Sequence, residues 1–247
     1  MRAIILAAGR GSRLGPLTNK KPKSFVKIMG RSLISRILEN FERENIKDIH
    51  IVTGYKSEYF KNYKYFRIHN NSWRKTNMFY SLTLAEKLLS EKTCIICYSD
   101  IFFKQSHLKK IINSKAYISV TYDEDWKKIW EKRFSDVKLD AENFFIKNKS
   151  VKKIGGRIKD IDSVNGQYMG LLKITPKGWY KAKKIIKSID EKKVKKISMT
   201  EILQILIDKK INITGIKIKG DWGEVDSPKD IIVYEELILD GKINGIK

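Results

Sequence analysis

The sequence has no stretch of about eighteen or more consecutive apolar residues, so it offers no candidate for a membrane-spanning helix. The apolar segment from Met1 to Gly9 is too short for the core of a secretory signal and runs straight into a glycine-rich loop, which predicts a cytoplasmic protein without a membrane partner. Cysteine is scarce: there are two, Cys94 and Cys97. Their C-x-x-C spacing is found in redox and zinc sites, but no second Cys or His pair lies near, and no helix N-terminus follows to lower a thiol pKa. They stand in Thr93-Cys94-Ile95-Ile96-Cys97-Tyr98, an apolar run that reads as a buried strand whose positions three apart point to opposite faces. The pair therefore reads as structural thiols. The Rossmann pattern G-x-G-x-x-G is not met, because position 14 is Leu, and no Walker loop occurs. No internal repeat or low-complexity linker marks a domain boundary.

Charge is abundant, with 51 Lys and Arg against 28 Asp and Glu, a formal net charge of +23. Such an excess suggests a polyanionic partner. Yet the lysines are scattered along the whole chain, outnumber the arginines and accompany many Ile and Asn residues, as A/T-rich codon usage would produce. Guanidinium is the preferred group for reading phosphates and bases, so a solvated lysine surface accounts for the charge better than a nucleic-acid groove. It would still draw anionic nucleotides and phosphate esters.

The 247 residues suffice for one α/β domain with a sizeable core. Arg2 to Ala7 reads as a buried strand. From Ser32, the residues Leu33, Ile34, Ile37, Leu38 and Phe41 share a helical face, and Ile49 to Thr53 follows as a strand. This β-α-β unit predicts a sheet that is parallel at its centre. Tyr65 to His69 is a further strand, Met78 to Leu89 one amphipathic helix, and Thr93 to Tyr98 a strand ending at Ser99-Asp100, where ligands of open α/β sheets bind. Beyond it, Ala116 to Tyr122, Glu142 to Ile146 and Tyr168 to Ile174 are strand candidates within a charged, loop-like stretch. Trp179 to Ile186 and Met199 to Ile207 read as helices and Ile213 to Lys217 as a strand. Ile231 to Leu239 closes the chain as a helix behind Ser227-Pro228, a natural cap and first turn.

The most informative segment is Leu6-Ala7-Ala8-Gly9-Arg10-Gly11-Ser12-Arg13-Leu14, continued by Pro16-Leu17-Thr18 and Pro22-Lys23. A strand feeding a glycine loop is a phosphate site in outline. Gly9 and Gly11 let backbone N–H groups approach a triphosphate, Ser12 adds a hydroxyl, Arg13 a forked guanidinium, and Lys23 a compact charge for the reacting phosphates. The order of strand, G-x-G-[ST]-R loop and P-K segment resembles the signature of the sugar-phosphate nucleotidyltransferase superfamily. In that resemblance, Asp100 stands at the position of the family's first metal-binding aspartate and Trp222-Gly223-Glu224-Val225-Asp226 in the segment that supplies the second. Thr76-Asn77-Met78-Phe79-Tyr80-Ser81-Leu82 is similar to the T-N-x-x-x-S-L segment of cytidylyltransferases related to the bacterial phosphocholine enzymes, a group that includes capsule-pathway enzymes acting on phosphoglutamine. Read without the family, Asn77 and Ser81 are equally a cap and first turn.

The resemblance implies a Rossmann-like nucleotidyltransferase fold: a central mixed, mostly parallel sheet flanked by helices, with a small acceptor-binding insertion. Nucleotide binding would fall to residues of about 1–115 and 210–247 and acceptor binding to about 116–209. It implies a cytidylyltransferase joining CTP to a phosphorylated small metabolite, with release of pyrophosphate, in surface-polysaccharide modification. Mg²⁺, with Mn²⁺ as a substitute, would be held by Asp100 and Asp226. Nucleotide contacts are expected from residues 6–13, Asn77, Ser81 and Ser99, and catalysis from Arg13, Lys23, Asp100 and Asp226. Aromatic faces with carboxylates suit a cationic head group, so acceptor contacts are assigned to Lys23, Trp126, Tyr168, Glu201, Trp222 and Glu224. Two alternatives stay open: a hexose-1-phosphate nucleotidyltransferase using UTP, dTTP or GTP, and a basic nucleic-acid-binding module. Oligomeric state is not legible.

Overall fold

The computed structural model describes residues 1–158 and 160–246. Strand β1 (Arg2–Ala7) is buried along its whole length, so both faces of the sheet are covered there. The loop that follows it coils through a 3₁₀ segment, Ser12–Thr18, and a second 3₁₀ turn at Lys23–Phe25. A small hairpin, β2 (Lys27–Ile28) and β3 (Arg31–Ser32), leads to helix α1 (Leu33–Arg43), whose cap Ser32 accepts a hydrogen bond from the Ser35 N–H at 3.3 Å. Then come β4 (Ile49–Thr53) and β5 (Phe66–His69).

The single helix expected over Met78 to Leu89 is two: α2 (Met78–Thr83) and α3 (Glu86–Glu91), with Ala85 outside helical geometry between them. The Thr83 hydroxyl donates to the Tyr80 carbonyl at 2.7 Å, the kind of side-chain bond that competes with helix continuation. Strand β6 (Cys94–Tyr98) ends at Ser99-Asp100, and β7 (Ile101–Phe103), helix α4 (Gln105–Ile112), β8 (Ile118–Asp123) and helix α5 (Trp126–Arg133) follow.

The stretch read as loop-like beyond Asp100 is therefore largely regular. It holds α4, α5 and, between β9 (Glu142–Lys147) and β11 (Gln167–Ile174), strand β10 (Ser150–Arg157). The run of lysines and the pair Gly155-Gly156, both at positive φ, hide β10 in the sequence; the register against β9 shifts between Ile154 and Arg157, at the glycines. Helices α6 (Pro176–Ile186), α7 (Glu191–Lys196) and α8 (Met199–Asp208), strands β12 (Thr214–Ile218) and β13 (Trp222–Glu224), and helix α9 (Pro228–Leu239) complete the chain.

Nine strands form one mixed sheet in the order β5-β4-β1-β6-β11-β8-β12-β10-β9. Only β11 and β10 run against the other seven, since each pairs antiparallel with both its neighbours. Both thiols lie buried in β6, and burial pushes Cys94 up to about 12 and Cys97 well above its ordinary value, which leaves neither as a thiolate. Among the described residues no helix is long and apolar enough to cross a membrane.

Candidate active site

Three side chains far apart in the sequence meet beyond the C-terminal ends of β1 and β6. Lys23 Nζ donates to Asp100 Oδ2 at 2.7 Å and also to Asp226 Oδ1. Arg13, 68% exposed, places Nη2 3.0 Å from Asp226 Oδ2. The convergence is set by a short two-stranded ribbon: β7 pairs antiparallel with β13, placing Glu224 opposite Ile101, and the Val225 N–H donates to the Asp100 carbonyl at 3.0 Å. A chain that leaves β6 through Asp100 and returns through residues 222–226 must therefore set those carboxylates side by side. Asp100, Glu224 and Asp226 each offer a carboxylate oxygen within 4.8 Å of the others.

The electrostatics follow from burial and crowding. Desolvation alone would lower the Lys23 ammonium, but Asp100, Asp226 and Glu224 outweigh it and hold the pKa above its ordinary value. Glu224 is pushed well above the usual carboxylate range, first by burial and then by repulsion from Asp226 and Asp100, with Lys23 opposing. Asp100 Oδ1 is buried without a hydrogen-bond partner among the described residues. An orphaned carboxylate oxygen within a hard oxygen cluster fits a divalent cation such as Mg²⁺.

The loop expected to hold phosphates is built around Lys23. Gly11 has φ +70°, and a Cβ there would lie 2.7–2.9 Å from the Lys23 side-chain carbons. The Thr18 hydroxyl fixes the loop by donating to the Gly11 carbonyl at 3.1 Å. Leu6, Ala7 and Ala8 are buried beneath it, whereas Gly9, Arg10 and Ser12 are exposed at its mouth. Arg10 donates to Asn19 Oδ1 at 2.9 Å and lies over the Tyr55 ring.

Beside the carboxylates opens a cavity of about 260 Å³, whose wall includes Trp130, Asp140, Glu142, Tyr168, Glu224 and Asp226. The Trp130 Nε1 and Tyr168 hydroxyl are buried and without partners among the described residues. Burial raises both Asp140 and Glu142 from their ordinary values, and Glu142 Oε1 accepts from the Thr200 hydroxyl at 3.2 Å. Of the residues assigned to acceptor contacts, Tyr168 and Glu224 line this cavity, and Lys23 lies behind it, paired with Asp226 of the wall. Three others do not line it. Trp222 is 1% exposed and donates Nε1 to Asp123 Oδ2 at 2.8 Å; Trp126 is core, packed edge-on against Trp130. Glu201 closes the capping box of α8, accepting from the Ser198 N–H at 2.7 Å. All three do structural work outside the cavity wall.

Asn77 lines the cavity, but its amide is engaged: it caps α2 through Met78 N–H and donates to the Lys196 carbonyl at 3.1 Å. Ser81 is buried and accepts from Asn70 Nδ2 at 3.0 Å, and Ser99 is buried beside Asp100. Sequence reasoning missed Asp140 and Glu142. Their proximity could not be read from strand alternation, because Asp140 ends a 3₁₀ turn at ψ −27° and only Glu142 belongs to β9.

The strand-loop-strand geometry, with a lysine and three acids gathered at its carboxyl end, defines a nucleotide-handling enzyme. The family model for the MobA-like NTP transferase domain matches residues 3–132, and the chain belongs to that nucleotidyltransferase family. It is 34% identical over 252 residues to the CTP:phosphoglutamine cytidylyltransferase of Campylobacter jejuni, covering 96% of this chain and 100% of that one. It is 34% identical over 134 residues to the choline-phosphate cytidylyltransferase of Streptococcus pneumoniae, covering 53% of this chain and 57% of the relative. The fold matches that of the inositol-1-phosphate CTP transferase from T. maritima with a TM-score of 0.75 at 20% identity, over 98% of this chain and 97% of the other.

Proposed function

We propose that the protein is a cytidylyltransferase that joins CTP to a small phosphorylated acceptor carrying a cationic head group, with release of pyrophosphate. The observation that carries this reading is the adjacency of the Lys23, Asp100 and Asp226 cluster to a cavity walled by aromatics and the carboxylates Asp140 and Glu142. Two of the relatives are named as cytidylyltransferases, one of phosphoglutamine and one of choline phosphate, both nitrogen-bearing compounds.

The acceptor phosphate, with its second pKa near ~6, is already an ionised nucleophile at neutral pH and needs no general base. The difficulty is bringing two polyanions together. Asp100, Glu224 and Asp226 would hold Mg²⁺, or Mn²⁺ in its place, and the bound cation supplies positive charge to the α-phosphate and the acceptor phosphate. Lys23, released from its carboxylate pairs as phosphates arrive, neutralises charge on the same oxygens as attack proceeds in line. Arg13 and the backbone of Gly11 and Ser12 hold the departing pyrophosphate. Trp130 and Tyr168 offer faces, and Asp140 and Glu142 offer counter-charge, to the acceptor's ammonium group. Those two acids, raised while empty, ionise more readily beside a cation.

Pyrophosphate release is to be measured for CTP, UTP, dTTP and GTP against phosphocholine, phosphoglutamine and hexose 1-phosphates. CTP with a nitrogen-bearing acceptor is expected to lead; preference for UTP, dTTP or GTP with a hexose 1-phosphate would overturn the reading. Lys23→Ala is expected to keep the fold by circular dichroism and lose at least ~100-fold in turnover. Near-normal turnover would remove Lys23 from the scheme.

A further inference from the structure

Arg133 closes α5 with a side chain that has no exposed surface. Its Nε donates to Asp230 Oδ1 at 2.8 Å. The other oxygen of that carboxylate, Asp230 Oδ2, accepts from the N–H groups of Asp226 at 2.9 Å and Ser227 at 2.7 Å, and from the Ser227 hydroxyl at 3.1 Å. The guanidinium is thus one carboxylate removed from the backbone of the residue that faces Lys23. On its far side, Nη1 lies 3.9 Å from Asp140 Oδ2 in the cavity wall, and neither Nη1 nor Nη2 has a hydrogen-bond partner among the described residues. The group lies over the rings of Trp130, Phe134 and Tyr234.

Burying a guanidinium is costly, and an apolar side chain of similar volume would fill the same aromatic setting without that cost. Asp230 is the N3 member of the α9 capping box, accepting from the Ser227 N–H while the Ser227 hydroxyl accepts from the Asp230 N–H, and that box closes without a bond from Arg133. What the charge does supply is a fixed position for Asp230, and hence for the Asp226 backbone, reached from the helix that also carries Trp130.

We propose that Arg133 is a positioning residue for the transfer reaction: through Asp230 it fixes Asp226 opposite Lys23, and it ties that carboxylate to the Asp140 wall of the acceptor cavity. The proposal rests on the reading of Asp226 as part of the transfer site.

The test compares the full-length wild type with Arg133→Met, Arg133→Lys and Asp230→Asn, and with Lys173→Met as a stability control. Lys173 is a buried lysine whose Nζ donates to the Ile112 and Ser114 carbonyls, remote from this site. Two quantities are read on folded protein: Mn²⁺ affinity in the presence of CTP, by paramagnetic resonance titration, and steady-state kinetics. Arg133→Met and Asp230→Asn are expected to weaken Mn²⁺ binding and lower kcat by roughly 10- to 100-fold, with KM for CTP little changed. Arg133→Lys, which keeps the charge, is expected to fall between these and the wild type. Lys173→Met should lower the melting temperature and leave both quantities alone.

A folded Arg133→Met protein with wild-type Mn²⁺ affinity and kcat would overturn the proposal. Should that variant not fold, Asp230→Asn decides by the same two measures. A wild type that releases no pyrophosphate would sink the functional reading alone, because the Mn²⁺ titration still reports on Arg133.

Discussion

Gly11 shows how a single missing side chain shapes the site. Its φ of +70° belongs to the left-handed region, and its α-carbon packs against the stem of Lys23 closely enough that a methyl group would lie 2.7 Å from Lys23 Cδ. An alanine there costs roughly 1 kcal/mol in backbone conformation and must push the lysine stem aside. Because Lys23 is held between Asp100 and Asp226, the displacement falls on the ammonium that both carboxylates share. Gly9, two residues earlier, has nothing within 4 Å of the same construction and an ordinary φ. Gly11→Ala is therefore expected to lower stability by about 1–2 kcal/mol and turnover by at least ~10-fold, while Gly9→Ala leaves stability within ~0.5 kcal/mol of wild type. Urea denaturation and pyrophosphate release on the two proteins check the contrast; equal stabilities would mean that the close approach does not constrain Lys23.

Helix α4 buries His107 against the sheet, where desolvation, with Lys110 and Lys104 adding to it and Asp221 opposing, lowers the imidazole from its ordinary value to about 4. The unfolded chain binds a proton at this residue near pH ~6.5, so the unfolded state is favoured as the pH falls. The stability is present in full above that value and is lost as the pH drops through the folded value near 4, where the loss reaches about 3 kcal/mol. His107→Leu is expected to flatten the dependence of the urea midpoint on pH between about 6.5 and 4; an unchanged dependence would show that other groups carry it. Neither α4 nor this histidine was legible beforehand, because Gln105–Ile112 carries too few apolar positions to reveal a period beside its lysines. The elements read most directly have a cap and a stripe together, as α1 behind Ser32 and α9 behind Ser227-Pro228, or an apolar run, as β1, β4 and β6. The meeting of residues 23, 100 and 226 was readable from the motif order, while the bonds that enforce it, between β7 and β13, lie in three-residue strands too short for any pattern. Trp126, Trp130 and Trp222 are chemically alike in a sequence. Which of them reaches the cavity depends on the side of α5 or of β13 that each occupies, and of the three Trp130 alone lines it.

At the scale of the whole molecule, the net charge of +23 and the acidic cavity pull in different directions. The lysine coat sets a long-range positive field, whereas Asp140 and Glu142 line the inner wall with carboxyl groups that ionise more readily beside an incoming cation. A triphosphate approaching Arg13, which stands exposed at the mouth, responds mainly to the outer field. The acceptor's head group responds to the half-buried carboxylates, which salt screens less than the exposed coat. The Debye length contracts from about 20 Å to about 6 Å between ~20 and ~300 mM salt, so the coat ceases to act over the distance of an encounter while the inner wall persists. Over that range kcat/KM for CTP is expected to fall roughly 10-fold, while KM for a phosphorylated, ammonium-bearing acceptor shifts by less than about 3-fold. Steady-state kinetics at fixed Mg²⁺ across a chloride series measures both. A flat kcat/KM for CTP would show that the lysines do not steer the nucleotide and serve only to hydrate the surface, and an acceptor KM that rises as steeply as that for CTP would place its recognition on the exposed lysines instead of the half-buried acids.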